Sequence, residues 1–555
     1  MEQRTDKSFL VEASIISISN FAVKIIGVLF SIPLSNLLQS EIAVFNAAYS
    51  VYAMLYMIST AGLPVATSRL VAASAKRGRA YEVARIYKLC LALFGVIGFV
   101  FALAMFVFAD KIAVWTTHYN SVYAMRVIAP TLFFICVVSA IRGYLQGLRN
   151  MVPTAVSQFI EAFFKLSIGL GMAYWSHHQG HSPAVQAAFA VLGITVGVFF
   201  GMLYLILYKR FSKNVQTPIT DYGSDSTRSI LKKLAIVALP VTITSSALYL
   251  SHFADTIIVK KALINSGFSE SVANAMYGAY TGLSTKLADL LPSTFVFPIA
   301  VSILPAISGA LAAKKQKEAD EYIHSSMRIS GIIALPCSAL LFVLSRPLIC
   351  VLFSSTWGSP ISLLDGTIIM PVDLAAKALS VLAIGIFFIS LVSTTNALLQ
   401  AIGKAHLPMI AVSAGAICLI VVDLLLVGRK SINIYGAPIG TVACYVVAYT
   451  FNAVSLKRAG VKNVSPLSLY AKPFVAAVCA GIISFAVYAL TNMINGDGRL
   501  VNLVRLGVAG AAGLIAYVVV ILLIKGITEK EVRLLPMGNR IAEFLIKIGL
   551  LKQEA

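Results

Sequence analysis

The sequence predicts an all-α integral membrane protein with 14 transmembrane helices, arranged as two parallel-repeat six-helix lobes plus two extra C-terminal helices. Three observations carry that prediction. The 555 residues are 59% hydrophobic and 12% charged, with a mean hydropathy of +0.87, a balance outside the range of soluble domains. Apolar windows of about 20 residues, enough for a helix to cross a hydrocarbon core of ~30 Å, recur along almost the whole chain. These windows are continuous, whereas a transmembrane barrel alternates apolar and polar residues in segments of about ten. A helix is the remaining element that satisfies its own backbone in lipid.

In chain order the spans are expected at 14–37, 42–64, 89–109, 120–141, 152–174, 185–207, 234–256, 276–300, 329–349, 378–400, 407–427, 434–455, 473–491 and 501–524. The N-terminal MEQRTDKSFLVEASIIS mixes acids and bases and lacks a small-residue cleavage site, so the first span is expected to be retained. The first lobe is expected over 1–213 and the second over 214–460, because two junctions recur. After the second span the chain reads GLPVATSRLVAASAKRGRAYEVARIYK and after the eighth FPIAVSILPAISGALAAKKQKEADEYIH, with Pro64 and Pro298 in equivalent places. The fourth-to-fifth connection YLQGLRNMVPTA is matched by the tenth-to-eleventh LLQAIGKAHLPMI, Gln146 and Gln400 leading into Pro153 and Pro408. Six spans separate the copies. An even number keeps them in the same orientation, the parallel repeat of some transporters. Residues 461–555, with the last two spans and a tail, fall outside the repeat.

The net charge of +21 follows from topology and requires no nucleic acid. Most of the 44 Lys and Arg fall in segments on the side of the N-terminus: Arg69 to Lys88, Lys209 to Lys233, Lys314 to Arg328, Lys457 to Lys472 and the bases from Lys525 onward. By the positive-inside rule both termini are expected in the cytoplasm. The loops are short, with no GxxxxGKS/T motif and no nucleophile and base at usable spacing, so a transporter is expected and an enzyme is not. Seven cysteines stand singly in apolar segments and read as core residues.

Chemistry is sought among the charges inside spans. Lys24, in NFAVKIIGVLFSIPL, sits near mid-span, where a charge costs at least ~2.5 kcal/mol and faces a cavity or a partner unless it snorkels. Lys286, in the eighth span, has Asp289 three residues on, which reads either as an internal ion pair or as a cation for a central cleft. With one such lysine in each half, a diphosphate is a fitting ligand. Arg126 begins the fourth span near its outer end. Glu161 and Lys165 stand four residues apart in the fifth, able to neutralise each other or to line the cleft. Tyr49, Tyr52 and Tyr56 recur on the second span, as packing or as a sugar-contacting stripe. Asp255 and Asp423 lie in or at the end of apolar spans with no base one turn away, which makes them candidates for Na⁺ or a proton. The tract His177, His178, His181 lacks a second ligand cluster and reads as a solvated loop.

The first-span SNFAVKIIGVLFSIPLSNLL, the second-span AAYSVYAMLYMISTAGLPVATSRLV and the eighth-span FVFPIAVSILPAIS resemble the multidrug/oligosaccharidyl-lipid/polysaccharide (MOP) exporter superfamily. The likeness is nearest to the lipid II flippases (MurJ type) and the related stage V sporulation protein B branch, and it runs over essentially the whole chain. It implies a flippase that moves a polyprenyl-diphosphate-linked cell-wall precursor, lipid II foremost, from the inner to the outer leaflet by alternating access, with Lys24 and Lys286 at cavity positions. Together with Arg126, Glu161, Lys165 and Tyr52 these make the expected substrate-binding set. The resemblance also implies Na⁺ as coupling ion at Asp255, Asp423 and Thr441, and a groove for the lipid tail formed by the last two spans. No other cofactor is expected. Where lipid II flippases carry a second arginine one turn along the first span, this chain has Phe30, and no arginine precedes Arg69 in the second span; both departures favour the sporulation-protein side. The expected partners are the bilayer, the undecaprenyl-diphosphate-linked glycan and the cell-wall synthesis machinery. The alternatives are export of another lipid-linked polysaccharide unit, or drug/cation antiport within the same superfamily.

Overall fold

Uninterrupted apolar sequence becomes helix almost everywhere in the computed structural model, which describes residues 19, 22–148, 150–211, 223, 225–296, 307, 310, 315–353, 357–364, 366–404, 406–461, 466–493, 498–533, 542–543 and 546–547. Among the described residues eleven helices are long and apolar enough to cross a membrane, the first being the 55-residue stretch Ala22–Lys76. The expected spans at 152–174 and 276–300 are helical where described, and both contain π-helical turns. Packing divides the chain into two units, Met1–Gly278 and Ala279–Ala555. That division lies beyond the lobe boundary expected at 213/214.

The first unit begins with a helix over 22–38 (α1), a 3-10 turn Gln39–Glu41 and α2 (Ile42–Thr60). Gly62 then caps α3 (Leu63–Lys76), with Pro64 in its first turn, where a missing N–H leaves no hydrogen bond unmade. There follow α4 (Ala80–Val107), α5 (Ala109–Trp115), α6 (Val122–Gly147), α7 (Val152–Phe164), α8 (Gly171–His178), α9 (Pro183–Phe211), α10 (Thr227–Asn265) and α11 (Glu270–Ala279). A π turn, Lys165–Leu170, joins α7 to α8 without a break. Helix α6 is apolar on all sides and is therefore interior; α2, α3, α4 and α9 pack around it. Helix α10 packs on α2 and α3, where the Gly62 N–H donates to Thr242 Oγ1 at 3.2 Å, and this packing moves it into the first unit. On α9, Gly193, Gly197 and Gly201 form a row at four-residue spacing. A Cβ at Gly193 would lie 2.3 Å from Gly169 Cα, and one at Gly197 2.6 Å from the Glu161 carbonyl oxygen. The row lets α7 and its π turn approach backbone to backbone, as small residues do in membrane helix pairs.

The second unit starts with a π turn, Tyr280–Ser284, then α12 (Thr285–Leu291) and another π turn, Pro292–Val296. After it come α13 (Gln316–Val343), α14 (Ser345–Leu352), a two-strand antiparallel hairpin pairing Ile361 with Ile369, α15 (Pro371–Ala401), α16 (His406–Leu426), α17 (Gly436–Arg458), α18 (Pro466–Asn492), α19 (Arg499–Leu523) and α20 (Glu529–Arg533). Here α15 is the interior helix, flanked by α13 and α17, while α18 and α19 pair with each other and α18 lies on α13. The repeat read from sequence is visible in the helix ends. Gln146 and Gln400 stand in the last turns of α6 and α15, and Pro153 and Pro408 in the first turns of α7 and α16. Pro298, the expected counterpart of Pro64, lies outside the described residues.

Candidate functional site

An aromatic ladder runs along α2. Phe45 stacks on Tyr49 with centroids 6.0 Å apart, Tyr49 meets Tyr52 at 5.8 Å, and Tyr52 stacks on Tyr56 at 5.9 Å. Spacings of three and four residues put these rings on one helical face. Phe30 of α1 extends the ladder, 6.1 Å from Phe45. Above it sits Lys165, its Nζ 4.8 Å from the Phe30 centroid and 5.9 Å from that of Tyr49, a cation held by ring faces. Among the described residues no carboxylate lies within salt-bridge distance of this ammonium. Tyr49 is 39% exposed and Lys165 is half-buried, although protein surrounds both densely; that combination describes the wall of a cleft. Lys165 also opens the π turn, a widened turn of the kind that recurs at functional sites.

Glu161 does not pair with Lys165, contrary to the self-neutralising alternative. Its Oε1 accepts from Arg142 Nη2 at 2.7 Å. Arg142 also donates through Nε and Nη2 to Ser157 Oγ, at 3.0 and 2.8 Å, while the Ser157 hydroxyl gives its own proton to the Thr154 carbonyl at 2.8 Å. The guanidinium is therefore oriented on two acceptors of α7. Tyr52 and Tyr56 stand close enough to Glu161 to feel its charge, so the ion pair and the ladder share one locality. Sequence reasoning missed Arg142 by ending the fourth span at residue 141, before the first charge. The usable signal lay further on, in the Gly147 that closes α6 and the Pro153 that opens α7.

Other expected residues fall elsewhere. Arg126, in the first turns of α6, forms an exposed pair with Asp110 at 2.6 Å, sixteen residues and about 24 Å along the helix from Arg142; the structure does not bring it to the Lys165 locality. Lys24 is half-buried on α1, and Gly27, one turn on, has no atom within 4 Å of a Cβ position, so this face of the helix is open. Lys286 belongs to the second unit, half-buried in the short α12 between its two π turns. Of the expected Na⁺ residues, Asp255 is buried in α10 of the first unit, and Asp423 and Thr441 are buried on neighbouring helices of the second. The Asp423 carboxylate lies directly against Gly440, where a Cβ would come within 2.3 Å of Oδ1. Thr441 Oγ1 is 3.2 Å from the Tyr280 hydroxyl. Among the described residues no group of three or more His, Cys, Asp or Glu could hold a metal ion.

The second unit carries an apolar groove of about 660 Å³ between α13 and α19, walled by Pro336, Cys337, Leu340, Gly510, Leu514 and Tyr517. The Tyr517 hydroxyl donates to the Ile332 carbonyl at 2.6 Å, so it is satisfied and the surface offered is almost wholly apolar.

Residues 9–311 match the polysaccharide biosynthesis protein family, and residues 275–425 match MatE. Stage V sporulation protein B of Bacillus subtilis (strain 168) is 26% identical over 544 residues, covering 96% of this chain and 99% of the relative. The lipid II flippase MurJ of the same organism is 22% identical over 460 residues, covering 80% and 81%. Among solved structures, an inward closed conformation of the lipid II flippase MurJ superposes with a TM-score of 0.66 at 15% identity, covering 91% of this chain and 97% of that one. The interior hubs, the repeated helix junctions and these matches together establish a multi-pass membrane protein that belongs to the polysaccharide biosynthesis protein family, within the MurJ and stage V sporulation protein B-like branch of the MOP superfamily.

Proposed function

We propose that this chain is a flippase that carries a polyprenyl-diphosphate-linked cell-wall precursor, peptidoglycan lipid II foremost, from the inner to the outer leaflet by alternating access, with both termini in the cytoplasm. The observation that supports this most is the state of Lys165: among the described residues its ammonium is held by aromatic faces, in a cleft whose nearby carboxylate, Glu161, is already taken by Arg142. Such a wall has positive charge to spare, and a diphosphate supplies the counter-charge through strong charge-assisted hydrogen bonds. Within the first unit Lys24 and Lys165 meet the headgroup and Tyr49 and Tyr52 offer ring faces to its sugars; in the second unit Lys286 is the proposed substrate-binding cation. The groove between α13 and α19 takes the polyprenyl chain, since a saturated apolar wall suits hydrocarbon and little else. Na⁺ is the proposed coupling ion, with Asp423 and Thr441 among its ligands; equal transport rates in Na⁺ and K⁺ would remove it.

The match to MatE gives drug/cation antiport as the second reading. A cation carrier needs an available carboxylate in its cleft, and the engaged Glu161 disfavours it. The deciding experiment is outer-leaflet exposure of lipid II in bacterial cells depleted of their own flippase. Cells expressing the parent should regain exposure, and cells expressing Lys24→Ala, Lys165→Ala or Lys286→Ala at equal membrane levels should not. No exposure with a correctly inserted parent, or full exposure with all three variants, would overturn the reading.

A further inference from the structure

Glu161 and Lys165 stand at the spacing where a carboxylate and an ammonium on one helix reach each other, in the favourable order with the acid first. They do not meet because Glu161 is held from the other side. Arg142 bridges its carboxylate and Ser157, and Ser157 is itself turned toward the guanidinium by its bond to Thr154. Gly201 completes the cradle: a Cβ there would lie 2.8 Å from Glu161 Oε1, so α9 closes against the carboxylate without leaving room to spare. With Glu161 engaged, Lys165 has the rings of Phe30 and Tyr49 as its partners among the described residues.

We infer that Arg142 sets the charge preference of the first-unit cleft. It is a positioning residue: by holding Glu161 it leaves Lys165 available to an anionic diphosphate ester. Without it the carboxylate turns one helical turn along α7 to Lys165, and the cleft loses its anion site. This rests on the reading that the headgroup is anionic, and it adds to that reading the device that keeps the site cationic. Arg142 acts through Glu161, whose carboxylate it holds at 2.7 Å.

The experiment is binding of farnesyl diphosphate to the purified full-length protein in detergent, comparing the parent with Arg142→Gln, Glu161→Gln and the double variant, each checked for a cooperative thermal transition. Loss of one charge-assisted contact corresponds to a factor of about ten or more in affinity. Arg142→Gln should therefore bind at least about tenfold more weakly, and Glu161→Gln about two- to threefold more tightly. The double variant, in which nothing competes for Lys165, should return to within about threefold of the parent. A merely structural role for the ion pair predicts no such rescue. A double variant as weak as Arg142→Gln would overturn the inference, as would Arg142→Gln binding like the parent. Should Arg142→Gln fail to fold, Glu161→Gln decides alone: tighter binding supports the inference and weaker binding overturns it. A parent that binds no farnesyl diphosphate overturns the anionic-headgroup reading itself, and that outcome is distinct from a parent that binds but ignores Arg142.

Discussion

Lowering the pH from 7 to 5 should destabilise the first unit through one residue, His118, in the loop between α5 and α6. Its ring is 3% exposed. Nδ1 donates to the Thr116 carbonyl at 2.7 Å, and Nε2 is buried with no hydrogen-bond partner among the described residues. Two groups face the ring, the Tyr277 side chain at 5.5 Å between centroids and the ammonium of Lys260. That ammonium is fully buried and is bonded to the Thr117 carbonyl and, at 3.2 Å, to Glu270 Oε1, with Glu41 as the other carboxylate nearby. Burial first, and Lys260 second, push His118 from 6.5 down to about 3, against a smaller opposing effect of the Thr116 carbonyl. In the unfolded chain the imidazole takes its proton near pH 6.5, whereas in the folded protein it stays neutral until about pH 3. The folded state thus binds fewer protons across that window, and stability falls as the pH drops through it. Between pH 7 and 5 the loss is about 2 kcal/mol, worth roughly 4–8 °C in thermal midpoint on the scale of a domain of 150–250 residues. The assay is thermal unfolding in detergent at both pH values for the parent and for His118→Gln, which keeps a donor for Thr116 and cannot titrate. A parent whose midpoint falls no further than that of His118→Gln would refute the reasoning.

Two further outcomes follow from the same packing. Lys260→Met removes the ammonium that helps to keep His118 neutral, so the acid-induced loss should shrink without vanishing, burial being the larger cause. At pH 7 the midpoint should fall, because removing one partner leaves the Thr117 carbonyl and the Glu41 and Glu270 carboxylates without their cation; an unchanged midpoint would contradict this. On α9, Gly197→Ala should cost about 1–3 kcal/mol, since its Cβ meets the Glu161 backbone, which cannot swing away. Gly201→Ala meets the Glu161 side chain, Oε1 at 2.8 Å and Cγ at 2.9 Å, rather than its backbone and should cost less, so the order of the two midpoints tests the close approach.

The helices were legible because they rest on periodicities that tertiary contacts do not overrule. Continuous apolar runs require helix in lipid, and the Gln to Pro junctions at 146–153 and 400–408 recur in the chain as they do in the two units. The candidate site was legible in part. Lys165 and Tyr52 could be singled out as a charge in a span and an aromatic at helical spacing, and both stand in one locality. Their partners could not be read, because Arg142 reaches Glu161 across 19 residues of chain and Lys165 reaches Phe30 across far more. The π turns at Lys165–Leu170 and on both sides of α12 were equally hidden, since one additional residue in a helical turn leaves no mark in a hydrophobicity pattern. Arg126 misled for the opposite reason: a basic residue near a span end reads alike whether it faces a cleft or, as here, an acidic neighbour in the preceding short helix.

Phe30 brings a cation to the first span from another part of the chain. The resemblance to lipid II flippases puts a second arginine at this point of the first span, and Phe30 in its place is a departure that favours the sporulation-protein side of the family. The phenyl ring is 2% exposed, and its face carries the Lys165 ammonium at 4.8 Å, delivered from a different helix by the π turn that begins at that residue. A cation on α7 in place of one on α1 has a different dependence on its surroundings. An arginine on α1 would carry its charge whatever α7 did, whereas Lys165 shares its helix with Glu161 and stays available only while Arg142 occupies that acid. In this chain the Arg142 bridge and the Phe30 contact are therefore two parts of one arrangement, joined through Glu161 and Lys165 on neighbouring turns.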